Sequence, residues 1–167
     1  GGQFIMNSLG GSGSNPPPDG HATYSFSVPT GTYMVWGRIN ALSDEDDSFW
    51  ARIEGATTNT NNHPSGWIQW WGITKGTGWY WNPIKSHDDG NADVQFTLDE
   101  GSYTLEIAYR EDGTKLDHLL ITDYLNLSSY DIAEITPTGS YTEVAPRGNQ
   151  TGGTPITLTF DNVTESG

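Results

Sequence analysis

The feature that most constrains the fold of this chain is a two-residue alternation of apolar and polar side chains. In residues 22–28, for example, Tyr24, Phe26 and Val28 alternate with threonine and serine. This period places one side of an extended strand on a core and the other toward solvent, and Gly, Pro, Asn and Asp between such runs end the strands. The pattern recurs in residues 32–40, 48–54, 93–98 and 102–109, and residues 116–122 are a further apolar strand. The sequence therefore predicts an all-β fold, and no stretch has the period of an amphipathic helix.

The composition changes near residue 125, which divides the chain into two predicted parts. Residues 1–124 contain the alternating strands and are long enough for one domain. Residues 125–167 are rich in Ser, Thr, Gly and Pro and form a predicted tail or linker, with one further strand near residues 155–163. A lone strand is not stable in water, so this one is expected to pair with the sandwich, with a following domain or with another molecule. Residues 4–6 are a second short apolar piece, predicted to be an edge strand.

The charge balance excludes several classes of partner. The chain has 7 Lys and Arg residues against 21 Asp and Glu residues, a net charge of −14. Such a chain repels nucleic acid and anionic membrane surfaces, and it disfavours an acidic polymer as ligand unless a local basic cluster or a bridging cation helps. No apolar run is long enough to span a membrane, so membrane insertion is not expected. Cysteine is absent, and the composition suits a secreted or extracellular protein.

A tryptophan-rich belt occupies residues 66–83. Five of the seven tryptophans fall there, separated by glycines: Trp67, Trp70, Trp71, Trp79 and Trp81. So many large rings between turn residues do not all fit one small core, and exposed aromatic patches bind ligands. On a strand Trp79 and Trp81 point the same way, with Tyr80 opposite. We therefore expect one of the two Trp groups, on either side of a Gly-rich turn, to plug the fold and the other to meet a ligand.

Two predicted strands each contain a Trp-x-Arg pair on the side opposite to their apolar core residues. Their residues, with two charged residues of a later strand, have the parity opposite to the apolar core positions: Trp36, Arg38, Trp50, Arg52, Glu106 and Arg110. If these side chains share one sheet face, two interpretations remain. The face is a second small core under a long loop, held by cation–π and ion pairs, or it is a platform on which a sugar chain stacks.

The acidic loop at residues 43–47 is the densest carboxylate cluster. Asp44, Asp46 and Asp47 are candidate ligands of a structural calcium ion, because hard cations take several oxygen ligands, although the spacing is not that of an EF-hand. The alternative is a solvated acidic loop. The four histidines lack metal-ligand spacing, and there is no Gly-x-Ser-x-Gly motif or phosphate-binding loop. We expect neither catalysis nor a required cofactor.

Several segments together resemble a family. They are GTYMVWGRINA (31–41), DSFWARIEG (47–55), WIQWW, WYW and FTLDEGSYTLEIAYREDGTKLDHLLIT (96–122). In this order they resemble carbohydrate-binding modules of the galactose-binding-like β-sandwich group, similar to families six, sixteen and thirty-five. The resemblance covers residues 22–124. It implies a jelly-roll β-sandwich that binds polysaccharide or glycan chains without catalysis.

The resemblance also implies positions for the ligand. In one arrangement a loop tryptophan, Trp67 or Trp70, stacks on the sugar while Asp117 accepts hydrogen bonds from its hydroxyls. In the other, the concave sheet face binds, through Trp36, Trp50 and arginines such as Arg110. Trp79 and Trp81 of the tryptophan-rich belt are further candidate sugar-binding residues. Similar modules hold a calcium ion through an acidic N-terminal residue, whereas this sequence starts Gly-Gly-Gln-Phe rather than Glu-Ala-Glu.

A function of a different class explains the terminal strands. Residues 4–6 and 155–163 are each suited to add to the sheet edge of a neighbouring molecule. The alternative prediction is therefore a structural subunit of an extracellular filament or surface assembly that self-associates by strand exchange.

Overall fold

A computed structural model describes residues 4–7, 10–123, 125–126 and 158–159, and this part of the chain is all-β. One 3₁₀ turn, His87–Asp89, accompanies the strands, and the described residues contain no α-helix. In chain order the strands are β1 (Ile5–Met6), β2 (His21–Val28), β3 (Gly31–Asn40), β4 (Phe49–Ile53), β5 (Thr57–Thr58), β6 (Ile68–Trp70), β7 (Tyr80–Pro83), β8 (Lys85–Ser86), β9 (Ala92–Asp93), β10 (Phe96–Leu98), β11 (Gly101–Tyr109), β12 (Lys115–Thr122) and β13 (Leu158–Thr159). The all-β prediction is confirmed.

The strands form two antiparallel sheets of a β-sandwich. The first sheet has six strands in the order β1-β12-β3-β10-β5, and β7 pairs with β3 beside β10. The second has seven, in the order β13-β2-β11-β4-β6-β8-β9. Every pairing is antiparallel, which suits a chain whose strands follow one another through short turns.

The main core consists of the inward side chains of both sheets. Tyr24, Phe26 and Val28 of β2 are buried in it, as their alternation predicts. Leu105 and Ile107 of β11 join them from the neighbouring strand. Serine and threonine occupy the outward positions of β2 next to this core, so the two-residue period correctly separates the buried side of this strand from its solvent side.

β3 is buried on both sides. Tyr33, Val35 and Ile39 point into the main core. Met34 and Trp36 lie on the outer side in a smaller cluster that is completed by Trp81, Leu120 and Leu125. The strand lies between β12 on one edge and β10 and β7 on the other, so it is the central element of the first sheet.

A bulge in β12 changes the direction of two polar side chains. Leu116 pairs with Ile39 and His118 pairs with Arg38, so two steps along β12 match one step along β3. Such an extra residue shifts the alternation by one position. Leu116 and Leu119 both remain in the core, and Asp117 and His118 between them lie beside Arg38.

Other parts of the chain differ from the sequence-based prediction. Residues 82–92, predicted to be a loop, contain β8, the first residue of β9, the last residues of β7 and the 3₁₀ turn, and residues 55–66 contain β5. These strands are two to four residues long and have no alternation to detect. At the C-terminus β13 pairs with β2, with Leu158 opposite Phe26. The rest of the predicted strand at 155–163, and most of the predicted tail, lie outside the described residues. Within the described part, no helix has the length and hydropathy needed to cross a bilayer.

Candidate functional site

The two Trp-x-Arg pairs lie on opposite sides of the molecule. Trp36 and Arg38 are in β3 of the first sheet, whereas Trp50 and Arg52 are in β4 of the second. Both pairs lie outside the main core, as their positions in the two-residue alternation predict. They do not share one sheet face, because β3 and β4 belong to different sheets. Parity gives the side of a strand on which a residue lies and does not give the sheet to which the strand belongs.

The outer face of the second sheet is a packed layer of aromatic and charged side chains. Trp50 and Trp67 are both buried there, and the Trp50 indole N–H donates to Ser12 Oγ over 2.9 Å. The Arg52 guanidinium lies 4.6 Å from the centre of the Trp67 ring and donates to Glu106 over 2.8 Å. The rings are thus covered by side chains of the same protein, which matches the interpretation of this face as a second small core.

Trp71 and Arg110 belong to the same covered layer. The Arg110 guanidinium lies 4.2 Å from the centre of the Trp71 ring, and the His87 ring centre lies 4.9 Å from it. Arg110 also donates to Ser48 Oγ over 2.7 Å and forms an ion pair with Glu111. The guanidinium N–H groups of Arg110 therefore stabilise the fold, because they bind neighbouring side chains of the same chain.

Three of the remaining predicted tryptophans are also buried. Trp70 is fully buried in the main core, where it packs beside Phe49 with ring centres 6.0 Å apart. Trp36 and Trp81 fill the outer cluster of the first sheet. The sequence predicts that one of the two Trp groups of the belt is buried and that the other is exposed. Instead, both groups contain buried rings: Trp67, Trp70 and Trp81 are buried, and Trp71 is half-buried.

Trp79 is the most exposed tryptophan of the chain, with 38% of its surface accessible. Phe4, which precedes β1 and is 47% exposed, has its ring centre 6.1 Å from that of Trp79. The Arg38 guanidinium lies 5.8 Å from the Trp79 ring centre, and Lys115 Nζ lies 5.9 Å from the Phe4 ring centre. We call Phe4, Arg38, Trp79, Lys115, Asp117 and His118 the Trp79 patch.

Asp117 is the polar centre of the Trp79 patch. Arg38 Nε donates to Asp117 Oδ1 over 2.9 Å, a second Arg38 nitrogen binds Oδ2, and His118 Nδ1 lies 2.9 Å from Oδ1. Burial alone would raise the pKa of Asp117, but the hydrogen bonds from Arg38 and His118 outweigh burial and lower it. The two-pronged contact keeps the carboxylate ionised and fixes the Arg38 guanidinium close to Trp79.

The loop that presents Trp79 is tied to the sandwich. The buried Asn40 amide donates to the Gly78 carbonyl over 2.7 Å, and the Gly76 N–H donates to the Ala41 carbonyl over 2.8 Å. Farther along, the Thr74 N–H donates to Asn82 Oδ1 over 2.8 Å. An aromatic side chain held by such contacts loses little freedom when a ligand stacks on it.

The acidic loop is bound to a lysine. Lys75 forms ion pairs with Asp44 and Asp47, the latter at 3.2 Å, while Asp46 accepts a hydrogen bond from Ser43. Burial raises the pKa of Asp47 despite the Lys75 ammonium. The described residues hold no group of three or more His, Asp or Glu side chains arranged to bind a metal ion. With an ammonium beside two of the three predicted ligands, this arrangement does not fit a calcium site, which needs six to eight oxygen ligands.

The sequence-based prediction names Trp79 and Asp117, which stay predicted site residues, but it does not include Phe4, Lys115 or the pairing of Arg38 with Asp117. Phe4 lies far from Trp79 in the chain, and only the pairing of β1 with β12 brings it near. The bulge did leave a signal, since Leu116 and Leu119 break the two-residue period of β12. No protein-family model, curated protein or solved structure matches this chain.

Proposed function

We propose that this chain binds glycan chains without catalysis, through the Trp79 patch. The observation that carries the proposal is the exposed Trp79 ring beside the exposed Phe4 ring, with an ion-paired arginine and carboxylate next to them. The apolar C–H face of a pyranose ring stacks on an indole, while its hydroxyls need hydrogen-bond donors and acceptors close by. An exposed aromatic pair with fixed polar groups supplies both.

Each polar residue of the patch has a distinct role in this proposal. Asp117 is held ionised by Arg38 and His118, and its largely buried carboxylate positions the Arg38 guanidinium. Arg38, fixed by Asp117, places its guanidinium beside a ligand stacked on Trp79. Because the Trp79 and Phe4 rings are exposed, we expect the weak-to-moderate affinity of shallow sites.

The architecture and the location belong to the same proposal. A galactose-binding-like jelly roll is supported by the two antiparallel sheets and by the segments that resemble carbohydrate-binding modules. Secretion is supported by the strongly acidic, cysteine-free composition. Of the predicted sugar-binding residues, the proposal retains Trp79 from the tryptophan belt and Asp117 from the resemblance, because the protein covers the other candidate rings.

A glycan panel with two variants tests the proposal. Trp79→Ala should abolish or reduce binding at least about tenfold, since stacking and its buried area are lost, without unfolding the protein. Tyr80→Ala is the matched control: Tyr80 is equally exposed, at 39%, but pairs opposite Ile39 and not opposite Arg38. Binding is read by calorimetry and folding by circular dichroism. No binding to any neutral or acidic glycan, or equal loss in both variants, would refute the proposal.

A second candidate, a structural subunit that exchanges terminal strands, is favoured by one observation. Within the described residues, the terminal strands β1 and β13 each pair over two residues, and each lies at the edge of its sheet. Short edge pairings are readily replaced by the strand of a neighbour. Sedimentation of the full chain at increasing concentration tests this candidate: oligomers that dissolve when Ile5 is replaced by proline would support it, and a strict monomer would refute it.

A further inference from the structure

We infer that the ligand of the Trp79 patch is an acidic glycan, whose sugars carry a carboxylate or sulfate group, and that Lys115 binds this anionic group. The inference rests on the proposed function and specifies its ligand class. The net charge of −14 disfavours an acidic polymer unless a local basic cluster exists, and the structure contains such a cluster at the Trp79 patch.

The unusual feature of Lys115 is that no carboxylate of the described residues lies within 4.0 Å of its ammonium. Six of the seven Lys and Arg residues lie in the described part of the chain. Four of the six form ion pairs: Arg38, Arg52, Lys75 and Arg110. Within the described residues, Lys85 and Lys115 have no carboxylate within 4.0 Å. On a chain with 21 acidic residues, a basic side chain without an acidic neighbour is the exception.

The position of Lys115 relates it to the sugar platform. Lys115 pairs with Met6 of β1, and its ammonium lies 5.9 Å from the centre of the Phe4 ring. The Phe4 ring in turn lies 6.1 Å from the Trp79 ring. A sugar stacked on Trp79 therefore has the ammonium one aromatic ring away, within reach of a substituent on that sugar or on its neighbour in the chain.

The charged side chains of the Trp79 patch favour an anionic ligand. Within the described residues, Asp117 is the carboxylate that pairs with the basic side chains of this patch, and its partners are Arg38 and His118. The Lys115 ammonium thus lies beside the exposed Phe4 ring with no carboxylate of the described residues within 4.0 Å. At physiological salt, repulsion from carboxylates farther away than about 8 Å is screened. The charged groups next to the ligand therefore determine whether an anionic or a cationic ligand binds.

Matched pairs of polysaccharides that differ only in charge test the inference. We would measure binding at about 0.15 M salt to polygalacturonate and its methyl ester, to alginate and its propylene glycol ester, and to a sulfated galactan and its desulfated form. The wild-type protein should bind the acidic member of at least one pair about tenfold more tightly, the size expected of one charge-assisted hydrogen bond. The pairs distinguish a carboxylate from a sulfate ligand.

Variants of the two lysines provide the controls. Lys115→Gln should remove the preference for the acidic member, Lys115→Arg should keep it, and Lys85→Gln, which removes the other cation without an acidic neighbour, should leave it unchanged. Equal binding of both members, preference for the neutral member, or an unchanged preference in Lys115→Gln would overturn the inference while the proposed function stands. Absence of binding to every member and to neutral glycans would overturn both.

Discussion

At the residue scale, the tryptophans differ in what covers their rings. Trp50, Trp67 and Trp70 are buried, and Trp71 is covered by Arg110 and His87. Trp79 contacts Phe4 and Arg38 but keeps much of its surface in solvent. Burying a large aromatic side chain contributes several kcal/mol, so the covered rings stabilise the fold and the exposed ring is available for binding.

Replacing Trp67 and Trp79 by alanine separates these roles. Trp67→Ala should lower the free energy of unfolding by about 3–5 kcal/mol, because it leaves a cavity against Trp50 and removes the ring under Arg52. Trp79→Ala should lower it by less than Trp67→Ala does, since 38% of the Trp79 surface is accessible to solvent whereas Trp67 is buried. Urea unfolding followed by circular dichroism measures both. Equal losses in the two variants would contradict the assignment.

Asp117 makes stability depend on pH in a predictable direction. Its pKa is lower in the folded protein than in the unfolded chain, so its stabilising contribution is complete above about pH 4, the ordinary aspartate range, and is lost as the pH falls through the folded-state pKa. Asp117→Asn should therefore cost about 1–3 kcal/mol at pH 6, and the difference from wild type should shrink below pH 4. Urea unfolding at several pH values measures it; a difference that grows on acidification would contradict this sign.

At the element scale, β3 connects the core to the proposed site. One side of the strand supplies the main core and the other supplies Trp36 and Arg38. Gly37 lies between these two residues, where an added β-carbon would lie 2.6 Å from Trp70 Cη2 and 2.8 Å from Leu116 Cδ1. The centre of the strand therefore requires glycine for packing.

Substitution of this glycine tests the packing of β3. Gly37→Ala should destabilise the protein by about 1–3 kcal/mol, the usual cost of overpacking a close-packed core. Gly101→Ala in β11 is the control, because a β-carbon there makes ordinary contacts, the nearest at 3.6 Å from Tyr103. Thermal unfolding of both variants measures the effect. A tolerated Gly37→Ala with an unchanged melting temperature would show that the core is looser than described.

The element scale also shows which features the sequence could predict. Alternation located β2, β3, β4 and β11 and the inward side of each, because burial of one strand face requires it. The strand β12 was located by its apolar residues, but its bulge hides the inward side. It could not assign β3 and β4 to different sheets, so Trp36 and Trp50 were placed on one face. It also could not place Phe4 beside Trp79, because that proximity depends on the pairing of distant strands.

At the scale of the whole molecule, the two outer faces of the sandwich differ in whether their aromatic rings are covered. On the second sheet, Arg52 and Arg110 cover Trp67 and Trp71, so the charged groups and the rings satisfy each other. On the first sheet, Trp79 and Phe4 stay exposed and Lys115 has no carboxylate beside it in the described part of the chain. One face thus serves stability, and we assign binding to the other.

The most direct test of this assignment is a nuclear magnetic resonance titration of the indole N–H signals. The seven tryptophans give seven signals, and Trp79→Phe identifies the one from Trp79. Addition of the tightest-binding glycan of the panel should shift the Trp79 signal most, and leave those of Trp50, Trp67 and Trp70 unchanged, because these rings are buried. Shifts confined to Trp50, Trp67 or Trp71, or no shift with any glycan, would contradict the account.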